Sequence, residues 1–171
     1  MSHPLVYALF GSRDAAMAAG RAVQALGVPS RAISVVARTH REEGVLADNI
    51  GATPGVEIED SRTASILGEF SGIALAAVAL VMPGMGQIVT AGPLSAELGE
   101  IAGHYAGSLA EILESTGIAA TKAENWQTRV QNGAVLLGVH VVEDAAPRVA
   151  DTLGLAGADD VEIGRWTGEL P

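Results

Sequence analysis

The residues with the most chemical potential lie in the middle of the chain. Glu97, Glu100, His104 and Glu111 are separated by three, four and seven positions, steps that return to one side of a helix with 3.6 residues per turn. Glu69 joins them through the pattern around it. Ala64, Gly68, Gly72 and Ala76 fall every fourth residue, as do Gly99, Gly103 and Gly107. A chain reversal between 82 and 93 sets Gly68 against Gly107, Gly72 against Gly103 and Ala76 against Gly99. Residues one place after each ladder glycine then flank the seam, which brings Glu69 beside His104 with Glu100 on the same side. Two such hairpins associating as a four-helix bundle would gather two copies of Glu69, Glu100 and His104, the carboxylate and imidazole inventory of a di-iron or di-manganese site. The Glu-x-x-His spacing of such sites is absent, because Glu100 and His104 are four apart. A solvated polar edge with a Glu–His ion pair explains the same residues with fewer assumptions.

A second constellation, Tyr7, Arg38, His140 and Trp166, depends on how the two ends of the chain fold. Leu5 to Phe10 reads as a buried strand. Ser12 or Asp14 can cap the helix that follows, and Ala15, Ala16, Ala19, Val23 and Leu26 give that helix one apolar stripe before Gly27 stops it. Ile33 to Arg38 is a second strand. The same grammar returns from Ala134 to Val142, through a helix that Glu143 and Asp144 can cap and that ends near Leu155, to a last strand from Asp160 to Trp166. Two strand–helix–strand units of nearly equal size predict an α+β, ferredoxin-like βαββαβ sandwich, with helices on one face of a four-stranded antiparallel sheet. Residues 1–38 and 132–171 form this split domain. Alternation along the third strand puts Val135, Leu137, Val139 and Val141 under the helices and turns Leu136, Gly138 and His140 to the open face, where Tyr7, Arg38 and Trp166 join them. That face suits a second copy of the chain or a ligand pocket between two sheets.

Between the two units, residues 39–60 are polar and rich in turn formers. Residues 61–115 then read as a long helical hairpin inserted between the second and third strands, one arm from Ser61 to Met82 and the other from Pro93 to about Ser115. A connecting helix over 116–131 leads back to the sandwich. Each mid-helix glycine costs ~1 kcal/mol relative to alanine, so matched ladders argue that two helix backbones approach closely as compensation. From Phe70 to Ala96 no residue is charged. A spanning helix needs ~20 uninterrupted apolar residues, however, and Pro83, Gly84, Gly86, Gly92 and Pro93 cut this stretch. Burial in a homo-oligomer accounts for it better than a hairpin tip in a membrane.

Composition narrows the function classes. The chain of 171 residues is long enough to bury a core, and 49% of them are hydrophobic but only 4% aromatic, with 21 glycines, so that core is aliphatic and closely packed. A net charge of −10, from 20 acidic and 10 basic residues, argues against nucleic acid as a partner. With no cysteine, disulfides, thiolate metal sites and cysteine nucleophiles are excluded. No serine sits in a nucleophile elbow, and Gly84-Met85-Gly86 does not continue as a phosphate loop. No basic, apolar leader precedes the first strand, so the cytoplasm is the expected compartment.

Several segments together resemble a known family. These are Val6-Tyr7-Ala8-Leu9-Phe10-Gly11-Ser12-Arg13-Asp14-Ala15-Ala16, the strand Ile33-Ser34-Val35-Val36-Ala37-Arg38, the middle motifs Pro83-Gly84-Met85-Gly86 and Ala91-Gly92-Pro93-Leu94, and the closing run from Asn132 to Val141. In that order they resemble the bacterial heat-induced or general stress protein family. The resemblance implies a stress-associated bacterial protein without an assigned activity, and lends no catalytic residue. The acidic residues Glu69, Glu97, Glu100 and Glu111 set this chain apart from the glycine-richer middle of that family.

Overall fold

The computed structural model describes residues 1–38, 78–82, 86–95, 98 and 108–171. Strand β1 (Ser2–Phe10), helix α1 (Arg13–Ala25) and strand β2 (Ile33–Arg38) open the chain. Strands β3 (Val78–Met82) and β4 (Gly86–Ala91) follow, then helices α2 (Leu109–Ser115) and α3 (Ala120–Gln131). Strand β5 (Val135–His140), helix α4 (Ala146–Leu155) and strand β6 (Asp160–Thr167) complete it. The fold is α+β, and its antiparallel sheet runs β3-β4-β2-β5-β1-β6.

Local sequence accounts for the outer units. Ser12 caps α1, its hydroxyl accepting the N–H of Ala15 at 3.3 Å, and the stripe Ala16, Ala19 and Val23 is buried. Gly27, at φ +95°, reverses the chain as expected of a C-terminal glycine. No side chain caps α4: Glu143–Ala145 is instead a 3₁₀ turn leading into it, and Pro147 occupies its first turn. One face of the sheet, carrying Val6, Ala8, Phe10, Val135, Leu137 and Val139, packs on Ala16, Ala19 and Val23 of α1 and Val149 and Leu153 of α4.

Two expectations for the middle of the chain are corrected. Val78–Met82, expected at the end of a helix, is a strand, and it forms an antiparallel hairpin with Gly86–Ala91 in which Val78 pairs with Thr90 and Met82 with Gly86. An uncharged apolar run fits a buried strand as well as a buried helix, and Val78, Val81, Ile88, Val89 and Thr90 favour the pleat. This hairpin extends the sheet by pairing β4 with β2, Val35 opposite Ala91 and Arg38 opposite Ile88. The continuous helix expected from Pro93 to about Ser115 is broken at Ser108, whose backbone is extended (φ −138°, ψ 165°) and whose hydroxyl accepts the N–H of Glu111 to start α2 afresh. Glu111 is exposed in the first turn of α2. Gly68, Gly72, Ala76, Gly99, Gly103 and Gly107, and with them the ladder, lie outside the described residues, as do Glu69, Glu97, Glu100, His104 and the loop 39–60.

The second sheet face is not open. Leu5, Tyr7, Leu9, Val36 and Leu136 are covered by Leu109 and Leu113 of α2 and by Ala123, Trp126 and Val130 of α3. The connecting helix buries Ala123, Trp126 and Val130 at steps of three and four, the stripe that lets it lie flat on a sheet. Helices therefore cover both faces of the sheet at β1, β2 and β5.

Candidate functional site

The four residues expected to share an open face do lie on one sheet face, but helices cover it and the four stand at three separate places along it. Arg38 ends β2 beside Ala37, which pairs with Val135, whereas His140 ends β5 at the opposite end of the sheet. Arg38 is exposed and its guanidinium donates to the carbonyl of Gln131 at 2.6 Å, fastening the end of α3 to the sheet. Tyr7 is fully buried beneath α3, edge-on to Trp126 with ring centroids 6.4 Å apart. Its hydroxyl lies 3.2 Å from Thr116 Oγ1. The Thr116 hydroxyl is shared between the Tyr7 oxygen, to which it donates, and the Leu113 carbonyl at 2.8 Å. Burial pushes the Tyr7 phenol up to about 12, with the Thr116 hydrogen bond acting in the opposite sense.

His140 and Trp166 do meet, and they bring a residue that sequence reading passed over. His3 Nε2 and His140 Nδ1 are 2.8 Å apart, a hydrogen bond between imidazoles from opposite ends of the chain. Register explains the encounter. Leu5 of β1 lies opposite His140 of β5 and His3 lies opposite Trp166 of β6, so three neighbouring strands deliver one ring each to the same face. The His140 ring meets Trp166 edge-on, with centroids 5.1 Å apart and planes at 83°. His140 is 2% exposed and His3 8%.

The pair is electrostatically poised. One imidazole must donate and the other accept, and whichever way the proton lies, His140 Nε2 is buried with no partner among the described residues. An unsatisfied buried polar atom costs ~1–3 kcal/mol, so this is a local liability, shared among the described residues with Thr90 Oγ1. His140 is lowered to about 4, first because burial disfavours the cation and second because the His3 charge repels it. Among the described residues no group of three or more His, Cys, Asp and Glu side chains is placed to hold a metal ion.

The remaining polar side chains near this face fasten α3 to β6. Lys122 Nζ lies 3.2 Å from Asp160 Oδ2 and also pairs with Glu162, while Trp126 Nε1 donates to Asp160 Oδ2 at 3.0 Å. The bond to Glu162 chiefly raises the Lys122 ammonium above its usual pKa, against a smaller desolvation. Arg129 pairs with Asp159 next to the same strand. Arg165 forks onto Glu143 with both nitrogens at about 3.0 Å, but the pair is open to solvent. Such pairs contribute ~0–1 kcal/mol, so register comes from them and adhesion from the buried apolar residues.

His3 stands outside the motifs that local sequence singles out. The signal that could have found it was pairing parity: if Leu5 faces Tyr7's side, so does His3, and β6 is long enough to reach it. The fold and site together define an α+β domain closed by helices on both faces with a buried histidine pair at one end of its sheet. Comparison with protein-family models, with curated proteins and with solved structures finds no match to this chain. No helix among the described residues is long and apolar enough to cross a membrane.

Proposed function

We propose that this chain is a non-enzymatic, cytoplasmic bacterial stress-associated protein that acts by assembling with copies of itself. Its frame is read as a ferredoxin-like sandwich, supported by the units β1-α1-β2 and β5-α4-β6 and the strand order β2-β5-β1-β6, with the intervening segment contributing the β3–β4 hairpin at one edge. The stress association rests on the sequence resemblance.

One observation carries the assembly reading. With the second sheet face closed, apolar surface reappears on the α4–β6 side, where Leu155 is 91% and Ile163 48% exposed beside Ala150, Gly154 and Val161 in a shallow groove rimmed by Asp151 and Glu162. Large aliphatic side chains grouped in this way mark interaction surfaces more often than isolated ones do. Thr116 already takes the outward N–H of Arg165, so part of the β6 edge is occupied and the groove side chains offer the surface for association. Lys122, Arg129, Arg165 and Trp126 are taken up in structural pairs, which supports a scaffold more than a reaction centre.

Light scattering at micromolar concentration tests this. A stable multimer is expected, and the double change Leu155→Glu and Ile163→Lys should reduce it to monomer without lowering the melting temperature. A monomeric wild type would end the proposal.

A further inference from the structure

The buried histidine pair has no part in the assembly reading, and its geometry suggests a use of its own. It bridges the first and fifth strands at the point where both chain ends converge. His3 is one residue from the start of β1. His140 is the last residue of β5, and Trp166, which flanks it, is one residue from the end of β6. Just beyond the pair, the N–H of Gly168 donates to the Met1 carbonyl at 2.9 Å, and the N–H of Val141 donates to the Pro4 carbonyl at 3.2 Å. Thus the rings sit under the backbone bonds that tie the first residues to the last.

We propose that His3 and His140 form an acid-operated catch, closed while they share one hydrogen bond and opened when both rings carry their second proton. The argument is donor counting. At 2.8 Å the facing nitrogens need one N–H and one lone pair. Once both imidazoles are cationic, Nε2 of His3 and Nδ1 of His140 are both donors, so the bond is replaced by repulsion between two positive charges. The added proton on His140 also remains desolvated, because that residue is nearly inaccessible.

Among the described residues little is placed to neutralise it, and Glu143 and Asp144, which follow β5, are exposed to solvent. On β1 the titratable neighbours are His3 itself, the amine of Met1 and, further along, the Tyr7 phenol, none of them an anion at acid pH. On β6, Trp166 is uncharged, and Arg165 alternates to the other sheet face, where Glu143 holds it. Arg31 precedes the neighbouring β2, and Glu169 follows β6 near Gly168. The two influences acting on His140, burial and the His3 charge, both oppose protonation, which places the opening near pH 4.

Opening would release the ends locally, leaving the sandwich in place. The strand centres are held by apolar burial on both faces, whereas the ends are held by the last ladder pairs, Ser2 with Thr167 and His3 with Trp166, and by the bond from Gly168 to Met1.

The test is an acid titration of the whole protein with two simultaneous readouts: imidazole ring nitrogen shifts by NMR, and amide exchange protection at Gly168 and at Leu9. His140 should stay neutral through about pH 5 and protonate near pH 4. Gly168 should lose protection in that same step, by ten-fold or more, while Leu9 keeps its own. In His140→Gln, which cannot take up a proton, the step at Gly168 should vanish. Should that variant fail to fold, His3→Gln serves instead, because removing the neighbouring charge should move His140 protonation to higher pH and uncouple it from Gly168. Protonation of His140 near its ordinary value, unchanged protection at Gly168, or simultaneous loss at Leu9 would each overturn the proposal.

Discussion

The carbonyl of Thr116 accepts the backbone N–H of Arg165 at 2.7 Å, so the turn between α2 and α3 is stitched directly to β6. The contact exists because position 164 has no side chain: a Cβ there would lie 2.7 Å from the Thr116 carbonyl oxygen and 3.1 Å from its hydroxyl. Gly164→Ala is therefore an overpacking substitution against backbone, which cannot rotate away. It should cost ~1–3 kcal/mol. Urea unfolding checks this, with a lowered midpoint at unchanged slope as the expected result. No loss would mean that the turn moves freely off the strand.

Tyr7 supplies a second measure of how firmly the helices cover the sheet. The phenol is charged when deprotonated, and its folded value of about 12 lies above the ordinary 10. Its contribution to stability is thus complete below about pH 10 and is lost as pH climbs from 10 towards 12. Of the two tyrosines, one should ionise late in an alkaline absorbance titration, and Tyr7→Phe should remove that late step. Ionisation of every tyrosine near 10 would contradict the buried position.

These two contacts also show where sequence is informative. The stripe on α1, the strand Ile33–Arg38 and the return from β5 through α4 to β6 are legible because their periodicity is clean and Gly27 punctuates it. Val78–Met82 is not legible, since an uncharged run carries no alternation to separate strand from helix. The covered face is illegible for a different reason. Leu5, Tyr7 and Leu9 alternate with Val6, Ala8 and Phe10, and two apolar rows are as compatible with helices on both sides as with an exposed sheet awaiting a partner. The His3–His140 bond spans 137 positions, a separation no local pattern encodes.

The same histidine bears on acid stability. His140 has a folded value of about 4, below the ordinary 6.5. The neutral, buried ring therefore contributes fully above pH 6.5, and the contribution is lost as pH falls from 6.5 towards 4, because the unfolded chain binds the proton first. At 1.36 kcal/mol per unit the full effect is ~3 kcal/mol. Denaturant unfolding at about pH 7 and about pH 4.5 measures it against His140→Leu, which keeps an apolar ring-sized group and cannot titrate. The wild type should lose more stability over that interval than the variant. Equal losses would assign acid sensitivity to carboxylates elsewhere.

Gly92 and Gly27 form a final comparison, since both have positive φ, +80° and +95°, but different surroundings. A Cβ at Gly27 meets nothing within 4 Å, so Gly27→Ala pays only for the left-handed backbone, ~1–2 kcal/mol. A Cβ at Gly92 would lie 2.0 Å from the Ile33 carbonyl oxygen and 2.8 Å from Ser34 Cα. Here the chain leaves β4 and crosses β2, close enough for the Leu94 N–H to reach Ser34 Oγ at 3.1 Å and for Leu94 to cover Gly138. Gly92→Ala must pay for both conformation and collision, and the colliding atoms are backbone. Its cost should exceed that of Gly27→Ala by ~2 kcal/mol or more. Paired thermal and urea unfolding of the two variants decides the matter. Equal costs would mean that β4 does not cross β2 at Gly92, and the placement of the β3–β4 hairpin at the edge of the sheet would fall with it.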